Sequence, residues 1–367
     1  MNLTTGSIST AVKKLFFVMC ASLLVMSCQQ SSDGPSGPAE KWHVFTQSNS
    51  PLTNNRINGL ALSSGGAVWM ATQDGASKFT RGNWGTFKDS LTYTSGETSA
   101  RIVTSIFEGK DRSIWFGLRG GGVMRYNQSS DVAVWRRYRD QIADISVTSL
   151  AADNSNQTIY GEMWLTTAFG ISRFLTQSDA LGGGSWLQPP YTRGNTSELP
   201  SNQILSATTK LDDYSIWFGT QTGGPVSVVD GATGLQWQNY PLPSGHDSRI
   251  NSIGWDLHNT VWLGMNNGVA TYNLHGANWN FYTSATTNGK LPQTPVNAVV
   301  TNLLNTRWFG TDSGLVRLVD TTWTHFTRSN SPLPSDTVTS LIIDTGQNIW
   351  IGTPSGAAVY NPNGISY

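Results

Sequence analysis

The side chains able to do chemistry are few, and they fall in short stretches between apolar runs. Arg56, Arg101, Arg249 and Asp336 each stand just ahead of an apolar run, whereas Asp74, Arg119, Phe169, Asn266, Asn267 and Asp312 follow runs that carry a tryptophan. Arginine offers a fork of donors to ligand oxygens, and an exposed ring offers an apolar platform. Such a set suits the binding of a polar ligand. The plainer alternative is that these are solvated loop residues, or charges that satisfy one another across a narrow channel.

The histidines do not suggest catalysis. His43 and His325 each follow a tryptophan inside a strand-like segment, and His258 and His275 fall in turns. His246 lies in a loop beside Asp247, without the carboxylate or metal partners that adjacency alone does not supply. No GxSxG, HExxH, CxxC, EF-hand or P-loop pattern occurs. The expectation is therefore no catalytic residue, no metal and no cofactor.

Charge narrows the partners. The chain has 367 residues, with Lys plus Arg 23 and Asp plus Glu 23, so its net charge is zero. A nucleic-acid binder needs a basic field to release phosphate counterions, so nucleic acid is not expected. Charged residues make up 13%, against about 25% in ordinary soluble domains, while tryptophan reaches 15 and glycine 38. That composition suits a β-rich body packed on indole rings.

The first residues read as an address. Lys13 and Lys14 precede an apolar run from Leu15 to Met26, the length of a signal core and too short to span a bilayer. The run ends Val25-Met26-Ser27-Cys28, which resembles the bacterial lipoprotein signal. The resemblance implies that residues 1–27 are removed and that Cys28 is acylated and becomes the first residue. Cys20 would leave with the signal, so no disulfide is expected within a mature subunit. Residues 29–40, rich in Ser, Gly and Pro, read as a tether, with a reach of roughly 20 Å. Gln29 rather than Asp after the cysteine favours the outer membrane of a bacterial envelope.

The elements that must position the candidate residues repeat seven times. One tryptophan series runs Trp42, Trp84, Trp135, Trp186, Trp237, Trp279 and Trp323; a second runs Trp69, Trp115, Trp164, Trp217, Trp262, Trp308 and Trp350. Two residues after each of the second series stands a small residue (Ala71, Gly117, Thr166, Gly219, Gly264, Gly310, Gly352). Six residues after it stands a glycine: Gly75, Gly121, Gly170, Gly223, Gly268, Gly314 and Gly356. Each repeat, about 42 to 51 residues long, reads as four strands bounded by Gly, Asn, Asp and Pro. Strand a is apolar, as in Val338-Thr-Ser-Leu-Ile-Ile-Asp344. Strand b carries the second-series tryptophan, strand c opens at the glycine, and strand d carries the first-series tryptophan.

Repeating four-stranded units of this size are propeller blades. The expected fold is all-β: a seven-bladed β-propeller over 41–367. The ordered chain opens on a strand d, Trp42-His-Val-Phe45, and ends on strands a, b and c, so the first strand should complete the last blade. The second-series tryptophans should pack between blades, and the glycine should sit in the b–c turn. Trp255 reads as blade packing. Departures are expected at an insertion, Asn154 to Gly161, in the third blade and at Pro189-Pro190, placed in the fourth.

The pattern V-x-S-L-x-x-D followed by I-W-I-G-T-x-x-G-L-x-R resembles the two-component regulator propeller repeat, over about residues 42–361. That resemblance implies a ligand-binding platform of the kind found in extracytoplasmic sensor regions. The chain shows no kinase or DNA-binding segment, so signalling itself is not carried over. The expected function is an envelope-anchored binding or sensing module for a polar or glycan-type ligand. The alternatives are a protein-interaction scaffold in an envelope complex and a propeller lyase or hydrolase.

Overall fold

β-Branched and aromatic residues alternate with small ones in every repeat, and the backbone settles into short antiparallel strands. The computed structural model describes residues 41–91, 101–128, 133–153, 161–176, 183–210, 212–231 and 234–367. The expectations for the leader, Cys28 and the tether, and most of the insertion before Trp164, lie outside these residues. β1 (Trp42–Phe45) comes first. The first blade is β2 (Ile57–Leu62), β3 (Val68–Thr72), β4 (Gly75–Thr80) and β5 (Asn83–Phe87). The second is β6 (Val103–Glu108), β7 (Ile114–Leu118), β8 (Gly122–Gln128) and β9 (Ala133–Tyr138). The third is β10 (Val147–Asp153), β11 (Glu162–Thr167), β12 (Gly170–Thr176) and β13 (Gly184–Tyr191), and the fourth β14 (Ile204–Thr209), β15 (Ile216–Thr220), β16 (Val226–Gly231) and β17 (Gly234–Asn239). The fifth is β18 (Ser252–Trp255), β19 (Thr260–Met265), β20 (Gly268–Asn273) and β21 (Asn278–Tyr282), and the sixth β22 (Val296–Thr301), β23 (Arg307–Thr311), β24 (Gly314–Val319) and β25 (Thr322–Phe326). β26 (Ser340–Ile343), β27 (Ile349–Thr353) and β28 (Gly356–Tyr360) form the seventh, and β1 completes it.

Seven four-stranded antiparallel sheets thus form a seven-bladed β-propeller, as the repeats require. β1 pairs with β28 from Trp42 opposite Tyr360 to Phe45 opposite Ala357, which closes the ring between the two ends of the fold. This pairing leaves no unpaired edge on β28. Because β28 opens at the b–c turn and ends near Tyr360, the chain enters β1 on the face that carries the a–b turns. The Asn361 amide donates to the Lys41 carbonyl at 3.0 Å and fixes that entry.

The strand-b tryptophans hold the blades together. Trp115, Trp217 and Trp350 are about fully buried, and each meets the next blade: Trp115 with Phe174 at 5.1 Å, Trp217 with Trp255 at 4.8 Å, Trp350 with Phe79 at 5.3 Å. Trp69 meets Phe116, Trp164 meets Phe218, Trp262 meets Phe309 and Trp308 meets Tyr360 in the same way. The small residue two positions on makes room for the first apolar residue of the following blade. A Cβ at Gly117 or Gly310 would lie 2.6 Å from a Val147 or Val338 methyl, and one at Gly352 would lie 2.8 Å from Ile57.

A cation lies over many of these rings. Lys78, Arg125, Arg173 and Arg317 stand opposite Trp69, Trp115, Trp164 and Trp308 on strand c, 5.1 to 5.8 Å from the ring centres. Trp262 takes its cation, Arg307 at 5.0 Å, from the sixth blade. The Arg307 guanidinium also donates to Asp256 at 3.0 Å, an ion pair between a–b turn and neighbouring strand. Burial alone would raise the Asp256 carboxyl, but hydrogen bonds from the Trp262 indole, the His258 amide and Arg307 hold it below the ordinary carboxylate range.

Two expectations on register need correction. The glycine that turns into strand c with positive φ, where a Cβ would collide with the carbonyl of the strand-d aromatic, is Gly122 in the second blade and Gly224 in the fourth. Gly121 and Gly223 are one residue early, because those two b–c turns are one residue longer. Pro189 and Pro190 lie in β13, so both departures fall in the third blade. There the register shifts between Ile171 and Arg173, and Tyr191 supplies the aromatic that the third position after Trp186 lacks.

Candidate functional site

Each innermost strand is opened, or in the fifth and seventh blades immediately preceded, by a branched residue that packs outward and one that lines the axis. These second residues are Asn58, Thr104, Thr148, Leu205, Asn251, Asn297 and Thr339. Five of them reach across to the first strand residue of the next blade. Asn58 donates to the Val103 carbonyl at 2.8 Å, Thr104 to Val147 at 2.7 Å, and Thr148 to Ile204 at 2.7 Å. Asn297 donates to Val338 at 3.1 Å, and Thr339 to Ile57 at 2.7 Å. Side-chain hydrogen bonds thus run from blade to blade around the axis, and each is worth about 0.5–1.5 kcal/mol.

The pattern changes at two neighbouring blades. Leu205 has no donor, and in the fifth blade Ser252 rather than Asn251 donates to the next blade, to the Val296 carbonyl at 3.3 Å. Asn251 turns to its own blade instead, donating to Asn266 Oδ1 at 3.3 Å and accepting from Arg249 Nε at 2.8 Å. Arg249 Nη1 in turn donates to Gln221 Oε1 at 2.6 Å. The boundary of the fourth and fifth blades therefore holds Arg249, Gln221, Asn251 and Asn266 at the mouth of the central channel. Two of the five guanidinium N–H donors are used in these bonds, and the planar fork is held in place by them.

Below the mouth lies a cavity of about 410 Å³, lined by the innermost strands of all seven blades. Its lining combines Asn58, Thr104, Thr148, Asn251, Asn297, Thr339 and several serines with Leu60 and with aliphatic residues buried between the blades. A channel lined mainly by amides and hydroxyls can orient a polar ligand by a few hydrogen bonds.

The ten residues read from sequence divide into four groups, and none is among those lining the cavity. Arg249 and Asn266 join one another through Asn251 at the mouth, and Asp312 accepts from Asn297 at 2.8 Å on the same rim. Asp74 and Arg101 pair with each other, Nε to Oδ1 at 3.2 Å, and Lys88 takes the other carboxylate oxygen at 2.9 Å. Arg56, Arg119, Phe169 and Asn267 are exposed on the b–c and d–a side. Asp336 accepts the Arg328 amide at 2.7 Å and holds a d–a loop, as Asn55 and Asn202 do for Gln47 and Arg193. Its role is therefore local.

Gln221, Asn251, Asn58 and Asn297 escaped the sequence reading. Their signal was nevertheless present: a branched residue followed by Asn or Thr opens strand a in six of seven repeats, from Ile57-Asn58 to Val338-Thr339. The histidines are engaged elsewhere. His246 stacks on Phe281 at 3.5 Å, His325 Nε2 lies 2.7 Å from the Ser313 carbonyl, and His258 Nδ1 lies 3.2 Å from Asn305. Among the described residues, no group of three His, Cys, Asp or Glu could hold a metal ion.

Comparison with known proteins bears on the fold. No family model matches the chain. Histidine kinase P4 of Formosa agariphila is 27% identical over 187 residues, which is 47% of this chain and 12% of that protein. The extracellular domain of a one component system from B. thetaiotaomicron superposes with a TM-score of 0.68 at 18% identity, covering 88% of this chain and 40% of that one. That of a hybrid two component system from the same organism gives 0.67 at 18%, covering 88% and 42%. Virginiamycin B lyase from Staphylococcus aureus gives 0.63 at 13%, covering 87% and 98%. The chain spans less than half the length of the sensor proteins it resembles. Its structural neighbours are extracellular propeller domains of one- and two-component systems as well as a propeller lyase, and what they share with this chain is the seven-bladed β-propeller itself.

Proposed function

We propose that the chain is an envelope-anchored binding or sensing propeller, and that a polar or glycan-type ligand docks at the channel mouth between the fourth and fifth blades. The observation that carries this reading is the missing donor at Leu205 and the release of Asn251 from the inter-blade pattern, beside which Arg249, Gln221 and Asn266 gather. In five other blades the Asn or Thr at the position of Asn251 is spent on the neighbouring blade. At this boundary a forked cation is positioned by amides and keeps donors for a ligand oxygen. Exposed Phe169, on the same face, offers a ring on which a sugar could stack. The extracellular sensor domains among the structural neighbours are consistent with this use of the fold.

Anchoring belongs to the same proposal. The lipoprotein-like Cys28 would hold the body at the bacterial outer membrane through the tether of residues 29–40. The tests are separate. A glycan array screened with the soluble body should retain it on a defined class of sugars, and Arg249→Ala should lose that retention while still melting cooperatively as a folded ring. Equal retention by Arg249→Ala would remove the site from this boundary. A fatty-acid analogue should label the full chain and not Cys28→Ala; label on the variant would remove the anchor.

A further inference from the structure

The face opposite the channel mouth carries an apolar patch on the fifth and sixth blades. The a–b turn of the fifth blade presents Leu257, 62% exposed, and that of the sixth presents Leu303 and Leu304, 73% and 78% exposed. These are not loose tips. Asp256 Oδ1 accepts the His258 amide at 2.9 Å, and Asn302 Oδ1 accepts the amides of Leu304 and Thr306 at 3.0 and 2.9 Å. The polar side chains face inward to fix each turn, and the leucines are left facing out. The two turns are joined by His258 to Asn305 at 3.2 Å. The sixth joins the seventh blade where the Leu303 amide donates to Gln347 at 3.4 Å. Among the described residues, corresponding turns in other blades carry Ser64 and Gly65, Lys110 and Asp111, Asp212 and Asp213 with a half-exposed Tyr214, or Thr345 and Gly346. Among the described turns the leucines are therefore a property of this sector and not of the repeat.

The same face is where the chain enters the fold. Lys41 leads into β1 at the end paired with Tyr360, beside the seventh blade, on the a–b side. Twelve residues separate Cys28 from residue 41, with a reach of roughly 20 Å. We infer that the leucine turns of the fifth and sixth blades insert into the headgroup region of the bilayer that holds the chain, so that the body rests tilted on this sector with the channel mouth facing away. This rests on the reading of Cys28 as an anchor. A lipid chain is commonly joined by a second, interfacial contact, and leucine is a residue such contacts use. The turns bring Leu257, Leu303 and Leu304 with His, Asn and Thr and no free charge, so the contact should not depend on salt. Three leucines on two turns are too few to cover the roughly 800 Å² per partner that a stable protein interface needs, which disfavours a second copy as the occupant.

The test replaces the lipid by a chelating tag, so that it does not depend on acylation. Residues 29–367 contain no cysteine, and the described part of them forms the closed ring. With an N-terminal hexahistidine they can be held on phosphatidylcholine vesicles that carry a nickel-chelating lipid and brominated acyl chains. A fluorophore on Leu304→Cys should be quenched several-fold more than one on Asn267→Cys, on the opposite face. The quenching should survive 1 M salt, and Leu257→Ser with Leu303→Ser should cut it by at least half. Equal quenching at both positions, no quenching at 304, or a leucine-dependent dimer in sedimentation would overturn the inference. Acyl labelling of the full chain reports on the anchor alone: quenching without acylation keeps the contact and removes the anchor, and acylation without quenching does the reverse.

Discussion

The seam between the seventh and first blades and the seam between the fourth and fifth are built from the same sheets and differ in how they are clasped. At the first, Thr339 donates to Ile57, β1 completes β28, and Phe45 lies 5.8 Å from Trp350 and 5.3 Å from Phe79. At the second, Leu205 lacks the donor, and the seam is bridged at the rim instead, by Arg249 to Gln221 at 2.6 Å and by the Ile250 amide to the Thr220 carbonyl at 2.9 Å. Between the fifth and sixth blades the link is ionic, Asp256 to Arg307. A repeat protein can thus clasp equivalent seams by different groups, and move the polar link of one seam from the inner strands to the rim.

The largest expected effect breaks the strongest seam. Deleting residues 41–46 removes β1 and the buried Phe45, and should lower stability by more than about 5 kcal/mol, since losing one buried Phe side chain already costs about 3–5 kcal/mol. Deleting 29–40 should leave the melting temperature unchanged, and identical melting of the two truncations would contradict ring closure. Trp308→Ala should cost about 3–5 kcal/mol in chemical denaturation, and Trp255→Ala, at the fourth–fifth seam and only partly buried, should cost less.

Acid should find the ionic seam first. The Asp256 carboxyl is depressed, so its contribution is fully present above the ordinary carboxylate value of 3.8 and is lost as pH falls through the lower folded value. Asp256→Ala should therefore destabilise by about 3–5 kcal/mol near neutral pH, with the gap to the parent protein narrowing below about pH 3.8. A gap independent of pH would show that the pair is not the cause.

At the fourth–fifth seam the effect should appear in binding. Arg249→Ala should weaken an identified ligand by about 1.5–3 kcal/mol, a 10- to 150-fold change in Kd by calorimetry. Thr339→Val should leave Kd alone and cost about 0.5–1.5 kcal/mol of stability. The smallest and sharpest test is Leu205→Thr, which would supply the missing donor toward the Ile250 carbonyl. A gain of about 0.5–1 kcal/mol is expected, and a loss would mean that Leu205 is needed for packing.

The architecture was legible because indole and glycine spacings recur in register, and seven copies of a weak signal make a strong one. Gly122 and Gly224 were missed by one residue because a turn can lengthen without disturbing the strands that the spacing reports. The site was less legible. Arg249 and Asn266 were found as loop polar residues, yet Asp336 looked the same and proved to hold a loop amide. Sequence position tells which face a side chain occupies, not which acceptor has already claimed it. Gln221 and Asn251 acquire meaning only against the pattern from which their blades depart.

The pairing of β1 with β28 also sets an order of events in biogenesis. Phe45 and its partner Ala357 lie at opposite ends of the chain, so the contact has a very high sequence separation, and contacts of that kind form slowly. No seventh blade exists until the last repeat has been made. If the chain is exported, it crosses the membrane as a string of incomplete blades, each with apolar faces awaiting a neighbour, and these are the surfaces on which chaperones act and aggregation begins. A product interrupted before residue 356 would keep its first strand unpaired, and quality control could recognise it by that exposed edge.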